Sequence, residues 1–147
     1  MYPPSFPQMS TLLPLALLSD ATASRPEHCH VVLALCADWC GTCRSFRPVL
    51  EQLAAEHPHI VFSWLDIEDE ADLANDLDVE TFPTLAIFRD GAPLYFGASL
   101  PMADVVTKLI RAAEVAGGPL SQIPREIAAM ADALFASEAD RAVLHGR

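Results

Sequence analysis

The residues best suited to chemistry are four cysteines that fall within fifteen positions of this 147-residue chain: Cys29, Cys36, Cys40 and Cys43. Disulfides that staple a secreted fold join distant loops, so this clustering indicates that the four cysteines belong to one site, or to one site plus bystanders. Cys40 and Cys43 enclose Gly41 and Thr42, and two thiols at this spacing can close an internal disulfide. The pattern predicts thiol–disulfide exchange, in which one thiolate attacks a substrate disulfide and the other thiol releases the product.

Two elements must position this pair. A continuous apolar run from Val31 to Leu35 precedes the pair and predicts a strand buried on both faces. Apolar residues at helical spacing follow the pair: Phe46, Val49, Leu50, Leu53 and Ala54. Cys40 therefore lies at a strand-to-helix junction, where the unpaired backbone N–H groups of the first turn stabilise an anion. Cys40 is the predicted nucleophile, and Cys43, one turn later on the same side, is the predicted resolving thiol.

The rest of the chain continues to alternate predicted strands and helices. The segment from Ile60 to Leu65 predicts a second buried strand, and the acidic segment from Asp66 to Asp78 predicts a short helix. Two apolar segments around the turn at Arg89 to Gly91 predict an antiparallel hairpin that Gly97 ends, and the spacing from Met102 to Ala113 predicts a helix. This order predicts an α/β fold with a central mixed β-sheet flanked by helices, whose first two strands pair in parallel.

The charge of the chain limits the kinds of partner that are expected. Nine Lys and Arg against twenty Asp and Glu give a formal net charge of −11, which repels phosphate backbones and anionic membrane surfaces. Neither nucleic acid nor a membrane is therefore an expected partner, and no apolar run approaches the about 20 residues that span a bilayer. Residues 12–18 resemble a short signal segment, but residues 1–11 contain no Lys or Arg and Pro14 interrupts the run. A cytoplasmic location is expected.

Two separate segments resemble one known family. The segment from Ala37 to Cys43 resembles the active-site segment of thioredoxins, in which the two residues between the cysteines are usually Gly-Pro. The segment from Thr81 to Thr84 is similar to the family's cis-proline loop, and Phe96-Gly97 resembles the later glycine position that borders the same groove. The resemblance covers roughly residues 28 to 115, and two cysteines at this spacing near a strand–helix–strand pattern are typical of the family. It implies a thioredoxin-like fold in which Pro83 is cis.

The resemblance also implies roles for individual residues. Cys40 and Cys43 would be the catalytic pair and would form the redox-active disulfide, with no other cofactor. The implied substrate contacts lie on both segments: Trp39, Gly41, Thr42, Phe82, Pro83 and Gly97. The implied partners are protein disulfide substrates and a thioredoxin-reductase-like flavoenzyme that regenerates the dithiol.

Three positions depart from the family pattern. Thioredoxins carry a buried acidic residue six positions before the nucleophile, which helps to deprotonate the resolving cysteine, and that position is Ala34 here. The lysine that accompanies the acid is replaced by Trp64. With neither group present, we expect slower resolution of the mixed disulfide than in a typical thioredoxin. Thr42 stands where proline is usual, so the reduction potential does not follow from the resemblance.

The two ends of the chain extend beyond the family domain. We predict an irregular arm over residues 1–11, a thioredoxin-like domain over residues 12–116 and a helical extension over residues 117–147. In the extension, apolar residues form a helical stripe: Ile123, Ile127, Met130, Ala131, Leu134 and Phe135. Such a stripe must be buried, either on its own domain, against a second copy of the chain, or against a client protein in a helix-in-groove contact.

A metal site is the structural alternative for these cysteines. Half of a zinc site has the same spacing as Cys40 and Cys43, and His28, Cys29 and His30 add potential ligands. Those three residues lie about ten residues before Cys40 across an extended strand, roughly 30 Å away. No metal site is therefore expected.

Two further alternatives concern the redox interpretation itself. Cys36, which lies close before Cys40, is either a third redox thiol or a small buried hydrophobe, and we interpret it as the latter. For the whole chain, the alternative to an enzyme is a thioredoxin-fold binding or chaperone module whose cysteines form a redox-sensitive clamp.

Overall fold

The computed structural model of the chain describes residues 12–18, 21, 29–37, 39–74, 77, 79 and 81–135. Its strands are β1 (His30–Cys36), β2 (Val61–Asp66), β3 (Thr84–Arg89) and β4 (Ala92–Ala98). Its helices are α1 (Gly41–Glu56), α2 (Ala71–Ala74), α3 (Ala103–Glu114) and α4 (Arg125–Phe135), and a 3-10 turn at Leu15–Leu17 precedes them. The predicted arm over residues 1–11 lies outside the described residues, as do residues 136–147.

The four strands form one mixed sheet in the order β2-β1-β3-β4. Strands β1 and β2 are parallel, and α1 provides the crossover that a parallel pair requires. Strand β3 is antiparallel to β1 and forms a hairpin with β4. Helices pack on both faces of this sheet. The predicted α/β fold with a central mixed sheet is confirmed.

Strand β1 separates two apolar cores because its side chains alternate between the faces of the sheet. Val32 and Ala34 point into the core that α1 and α3 cover, which we call the α1 face. Leu33 and Leu35 point into the core on the other side, which α4 covers and which we call the α4 face. Every residue from Val31 to Cys36 is buried, as the continuous apolar run predicts.

Two of the predicted elements differ from the structure in their extent. The acidic segment after β2 forms only a single helical turn, Ala71–Ala74, within the part of the chain that the structure describes. Strand β4 does not end at Gly97 but continues to Ala98, because Thr84 of β3 still pairs with Ala98. No helix in the described ranges has the length and apolar character needed to cross a bilayer.

Helix α4 is the predicted additional C-terminal helix, and it packs on its own domain. Its buried residues join the core of the α4 face: Ile127, Met130, Ala131 and Leu134. The segment that leads to α4 runs along β4, since Leu120 N–H donates to the carbonyl of Leu94 (2.6 Å) and Phe96 N–H donates to the hydroxyl of Ser121 (3.1 Å). The extension therefore passes the edge of the sheet before it covers the second face.

Candidate active site

Cys40 occupies the position immediately before α1, as the strand-to-helix junction predicts. Its backbone N–H donates to the carbonyl of Ala37 (3.0 Å), and its own carbonyl accepts the N–H of Arg44 (3.1 Å). The thiol forms no disulfide and is partly exposed. The side chain of Cys40 makes no capping hydrogen bond to the first turn of α1.

The structure shows a pairing of the cysteines that was not predicted. Cys43 is bonded to Cys36, the last residue of β1, and the disulfide predicted between Cys40 and Cys43 is not formed. Cys36 and Cys43 are each 0 % exposed. Cys36 is therefore buried, as predicted, but the interpretation that it is only a small hydrophobe is wrong, because its sulfur forms a disulfide.

Strand alternation is the physical reason for this pairing. Val32 and Ala34 face α1, and Cys36 continues the same series two residues later. Helix α1 in turn presents Cys43 on its buried side. The two Cα atoms lie 5.8 Å apart, within the roughly 4.4–6.8 Å that a disulfide spans.

Trp39, the residue before Cys40, forms an aromatic pair with Phe82. The rings of Trp39 and Phe82 meet edge to face with their centroids 5.7 Å apart. Trp39 is 61 % exposed, Phe82 is partly exposed and Pro83 is buried. The Phe82–Pro83 peptide bond is cis, as the family resemblance implies. The loop before β3 therefore packs against the residue that precedes the nucleophile.

The other side of the Trp39 ring is held by the loop after β2. Its indole N–H donates to the carboxylate of Glu68 (2.8 Å), which lies 29 residues away in sequence. The backbone N–H groups of Glu68 and Asp69 donate to the carboxylate of Asp66 (2.8 and 3.1 Å), the sheet partner of Cys36. Glu68 and Asp66 were not predicted as part of the site, because only the parallel pairing of β1 with β2 brings them there.

The remaining predicted substrate contacts lie on exposed or partly exposed backbone. Gly41 and Thr42 are exposed in the first turn of α1. Gly97 lies in β4 opposite Leu85 of β3. A Cβ atom at Gly97 would lie 2.8 Å from the hydroxyl oxygen of Tyr95, so a side chain there would displace that ring. The role of these residues as substrate contacts stays a prediction.

The positions at which thioredoxins carry an acid and a lysine form a packing contact here. Ala34 is 0 % exposed and pairs with Trp64 across β1 and β2. The guanidinium carbon of Arg47 lies 4.9 Å from the centroid of the Trp64 ring, close enough for a cation–π contact. Position 34 therefore offers no carboxylate to receive a proton from the resolving cysteine.

Cys29 and the histidines beside it stand apart from the redox cysteines. Cys29 is buried on the α4 face, at the opposite end of β1 from Cys36. Its backbone N–H donates to the carboxylate of Asp90 (2.9 Å). His28 lies outside the described residues, and among those that are described no three His, Cys, Asp or Glu side chains come together as metal ligands.

The chain is similar to known proteins in sequence and in fold. The model of the thioredoxin family matches residues 20–110. A thioredoxin of Chlamydia trachomatis is 39 % identical over 80 residues, which cover 54 % of this chain and 78 % of the relative. An H-type thioredoxin of Picea mariana is 30 % identical over 109 residues, covering 74 % and 73 %. The solved structure of a mutant thioredoxin from Halobacterium salinarum matches at 29 % identity with a TM-score of 0.54, covering 73 % of this chain and 86 % of that one.

The family match includes both separate parts of the site, the segment around Cys40 and the loop at Pro83. The solved thioredoxin of Fasciola hepatica, at 24 % identity, adds support for the fold with a TM-score of 0.58 over 68 % of this chain and 97 % of its own. The chain therefore belongs to the thioredoxin family and is a thiol–disulfide oxidoreductase.

Proposed function

We propose that the chain reduces disulfides in other proteins, with Cys40 as the attacking thiol and Cys43 as the resolving thiol. The observation that carries the proposal is the contrast in exposure between them. Cys40 is partly exposed at the start of α1, whereas Cys43 is 0 % exposed. A disulfide on the surface of another protein can therefore meet Cys40 first, and Cys43 acts from inside the molecule.

The proposed cycle moves two electrons. The thiolate of Cys40 attacks one sulfur of the substrate disulfide, and the second substrate sulfur leaves as a thiolate. The thiolate of Cys43 then attacks the Cys40 sulfur, so that the first substrate sulfur also leaves. The substrate is reduced to a dithiol, and a Cys40–Cys43 disulfide holds the oxidising equivalent. The residue pair encloses one helical turn, which keeps both sulfurs on the same side of α1.

An extended segment of protein is the proposed substrate form. Three large apolar side chains near the site are exposed: Trp39 at 61 %, Leu100 at 60 % and Met102 at 50 %. Leu100 follows Ser99, whose backbone N–H donates to the carbonyl of Pro83 (3.0 Å), so this segment leaves directly from the cis-proline loop. Exposed apolar side chains next to Cys40 in the chain and on the segment after the cis-proline loop suit an unfolded or loop-borne disulfide.

Regeneration of the dithiol needs an electron donor of matching chemistry. We propose a thioredoxin-reductase-like flavoenzyme for this step, because members of the family are reduced in this way. A reducing compartment, the cytoplasm, is the proposed location for the same reason.

Reduction of insulin disulfides by dithiothreitol tests this function. The wild type is expected to accelerate the reaction, and Cys40→Ser is expected to leave only the uncatalysed rate, because serine provides no thiolate. Cys29→Ser, which changes a buried cysteine on the other face of the sheet, is the matched control and is expected to retain the rate. Equal rates for the wild type and Cys40→Ser would contradict the proposal.

The exposed apolar residues also favour the alternative, a module that binds unfolded protein without catalysis. In that case the chain would suppress the aggregation of an unfolding protein equally well with and without Cys40. Mass analysis of proteins trapped by Cys43→Ser, in which the mixed disulfide on Cys40 is no longer resolved by Cys43, would identify substrates of the enzyme.

A further inference from the structure

We propose that Cys36 is a third redox residue, which takes over the disulfide from Cys40 by exchange at the sulfur of Cys43. The oxidised chain would then hold its oxidising equivalent in the buried Cys36–Cys43 disulfide and expose the Cys40 thiol again. This inference rests on the proposed exchange chemistry of Cys40 and Cys43. It adds a step after the substrate has left.

The position of Cys43 between two cysteines is the first argument. On one side, the end of β1 brings Cys36 to a disulfide bond with Cys43, with their Cα atoms 5.8 Å apart. On the other side, Cys40 immediately precedes α1 and Cys43 is its third residue. Two cysteines separated by two residues at a helix start are a known redox-active pair, which can close a disulfide. Cys43 can therefore bond to either cysteine without a change in the sheet.

The proposed step balances as a simple thiol–disulfide exchange. After release of the substrate, the thiolate of Cys36 attacks the Cys43 sulfur of the Cys40–Cys43 disulfide. The Cys36–Cys43 bond forms, the Cys40–Cys43 bond breaks, and Cys40 leaves as the thiolate. The proton lost by Cys36 is replaced by one that Cys40 takes from water. No electrons enter or leave the chain, so no further reactant is required.

The environments of the sulfurs favour this direction. Cys40 is partly exposed, so water solvates the thiolate that leaves in this direction. Cys36 and Cys43 are both 0 % exposed, so their disulfide is out of reach of thiols on other molecules. Its reduction must then run backwards through Cys40, the cysteine of the three that is partly exposed.

Cys36 lies close in the chain to Ala34, the position at which this chain departs from the family pattern. The buried residue that would be an acid in thioredoxins is Ala34, and Cys36 lies on the same face of β1 two residues nearer to α1. The resolving cysteine of this chain thus meets a second thiol where the strand ends. The oxidised form that results retains an exposed nucleophile, in contrast to an oxidised form with a Cys40–Cys43 bond.

Peptide mapping of the oxidised wild type tests the pairing. The reduced chain is oxidised by oxidised glutathione, free thiols are trapped with N-ethylmaleimide, and the chain is cut with chymotrypsin, which cleaves after Trp39 and so separates Cys36 from the other two cysteines. We expect most oxidised chains to show Cys36 joined to Cys43 across two peptides, with N-ethylmaleimide on Cys40. Oxidised material with only the Cys40–Cys43 bond and labelled Cys36 would overturn the inference.

Native labelling adds a variant arm. In the oxidised wild type the Cys40 thiol is expected to react with N-ethylmaleimide, whereas in oxidised Cys36→Ala it is expected to be unreactive because Cys43 can bond only to Cys40. Cys29→Ala is the matched control and is expected to behave as the wild type. Equal labelling of Cys40 in the wild type and Cys36→Ala would count against the inference.

The rate of reduction separates a relay from a permanent structural disulfide. Chains with the Cys36–Cys43 bond are mixed with glutathione, and Cys40→Ser is expected to be reduced at least about tenfold more slowly than the wild type, because the route through the exposed thiol is lost. Equal rates, or a bond that persists in the wild type, would overturn the relay.

If the insulin assay fails but the peptide mapping shows the Cys36–Cys43 bond, only the proposed substrate class falls. If insulin is reduced and Cys36 stays unpaired, only the relay falls.

Discussion

Cys36, Cys40 and Cys43 occupy different environments, and these environments divide the chemistry among them. Cys40 is partly exposed at a helix start, while the other two lie in the interior between β1 and α1. In the proposed cycle, attack on a foreign disulfide therefore belongs to Cys40, and the steps that follow proceed away from water. The neighbouring Ala34 leaves these inner steps without the carboxylate that assists them in other thioredoxins.

Placing an acid at position 34 is expected to speed resolution. In Ala34→Asp a carboxylate would accept the proton of Cys43, and general-base assistance of this kind contributes on the order of 100-fold. The lifetime of the mixed disulfide on Cys40, measured by acid quench and mass analysis in a single turnover, should shorten. Burial of the carboxyl group should lower the free energy of unfolding by about 1–3 kcal/mol.

Ala34→Asn is the matched control for this change. The amide has nearly the same size and a similar cost of burial, but it cannot take up the proton. Its mixed disulfide should live as long as that of the wild type. An equal acceleration in both variants would mean that altered packing against Trp64, and not proton transfer, limits the step.

His30 makes folding stability depend on pH. Burial lowers the pKa of His30 below its ordinary value of 6.5, against a raising effect of a hydrogen bond with the Ala113 backbone and of Glu114. Its ring Nε2 is buried and finds no hydrogen-bond partner in the part of the chain that the structure describes. The unfolded chain therefore binds more protons at this residue, and the neutral form stabilises the fold above pH 6.5.

This contribution is expected to be lost as the pH falls from 6.5 through the lower folded-state pKa. Urea unfolding of the wild type and of His30→Gln, at about pH 8 and about pH 5.5, isolates it from the titration of the carboxylates. The stability of the wild type relative to the variant should decrease on acidification. An increase would show that the imidazolium, and not the imidazole, is favoured in the folded chain.

At the scale of elements, α4 is an additional C-terminal helix of this thioredoxin fold. The helix covers the face of the sheet opposite to α1 and α3, and its last residue, Phe135, meets Phe88 of β3 with ring centroids 5.1 Å apart. The segment before it is bonded along β4, which protects an edge strand from pairing with other chains. The extension is therefore part of the domain core.

Truncation of Ile127 tests the importance of this packing. The side chain is 0 % exposed, and Ile127→Ala is expected to lower the free energy of unfolding by about 2–5 kcal/mol, since it removes apolar contacts and leaves a cavity. Arg125→Ala, at an exposed position of the same helix, should stay within about 0.5 kcal/mol of the wild type. Denaturant unfolding measures both, and equal small effects would show that α4 contributes little to the fold.

At the scale of the whole molecule, the negative net charge destabilises the folded state. Twenty acidic side chains against nine Lys and Arg leave a net charge of −11, and like charges repel more strongly in the folded chain than in the expanded one. Ion pairs at the surface relieve this repulsion only weakly: Arg47 and Glu51 on α1, at 3.6 Å, are both well exposed, and such pairs contribute little.

Salt is therefore expected to stabilise the fold near neutral pH. Raising NaCl from about 10 mM to about 300 mM shortens the screening length, and Tm should rise by about 2–4 °C, which corresponds to about 1 kcal/mol in a domain of this size. The control is the same series near the isoelectric point of about 4.6, where the net charge and hence the effect should vanish. A lower Tm in salt at neutral pH would mean that attractive pairs dominate.

The local signals of the sequence were sufficient for much of this molecule. A β-branched apolar run and the helical periodicity after Cys40 depend on neighbours in the chain, so β1 and α1 could be predicted, and the family resemblance implied the cis peptide bond at Pro83. The mixed sheet and the additional helix followed from the order of such segments.

The partner of Cys43 was decided only by the tertiary structure. The spacing of Cys40 and Cys43 pointed to a bond between them, whereas Cys36 is seven residues from Cys43 and belongs to another element. The docking of α1 on β1 and the alternation of side chains along the strand bring these two sulfurs together. The same holds for Glu68 beside Trp39 and for the face that α4 covers, because contacts between distant segments depend on packing geometry that no local pattern carries.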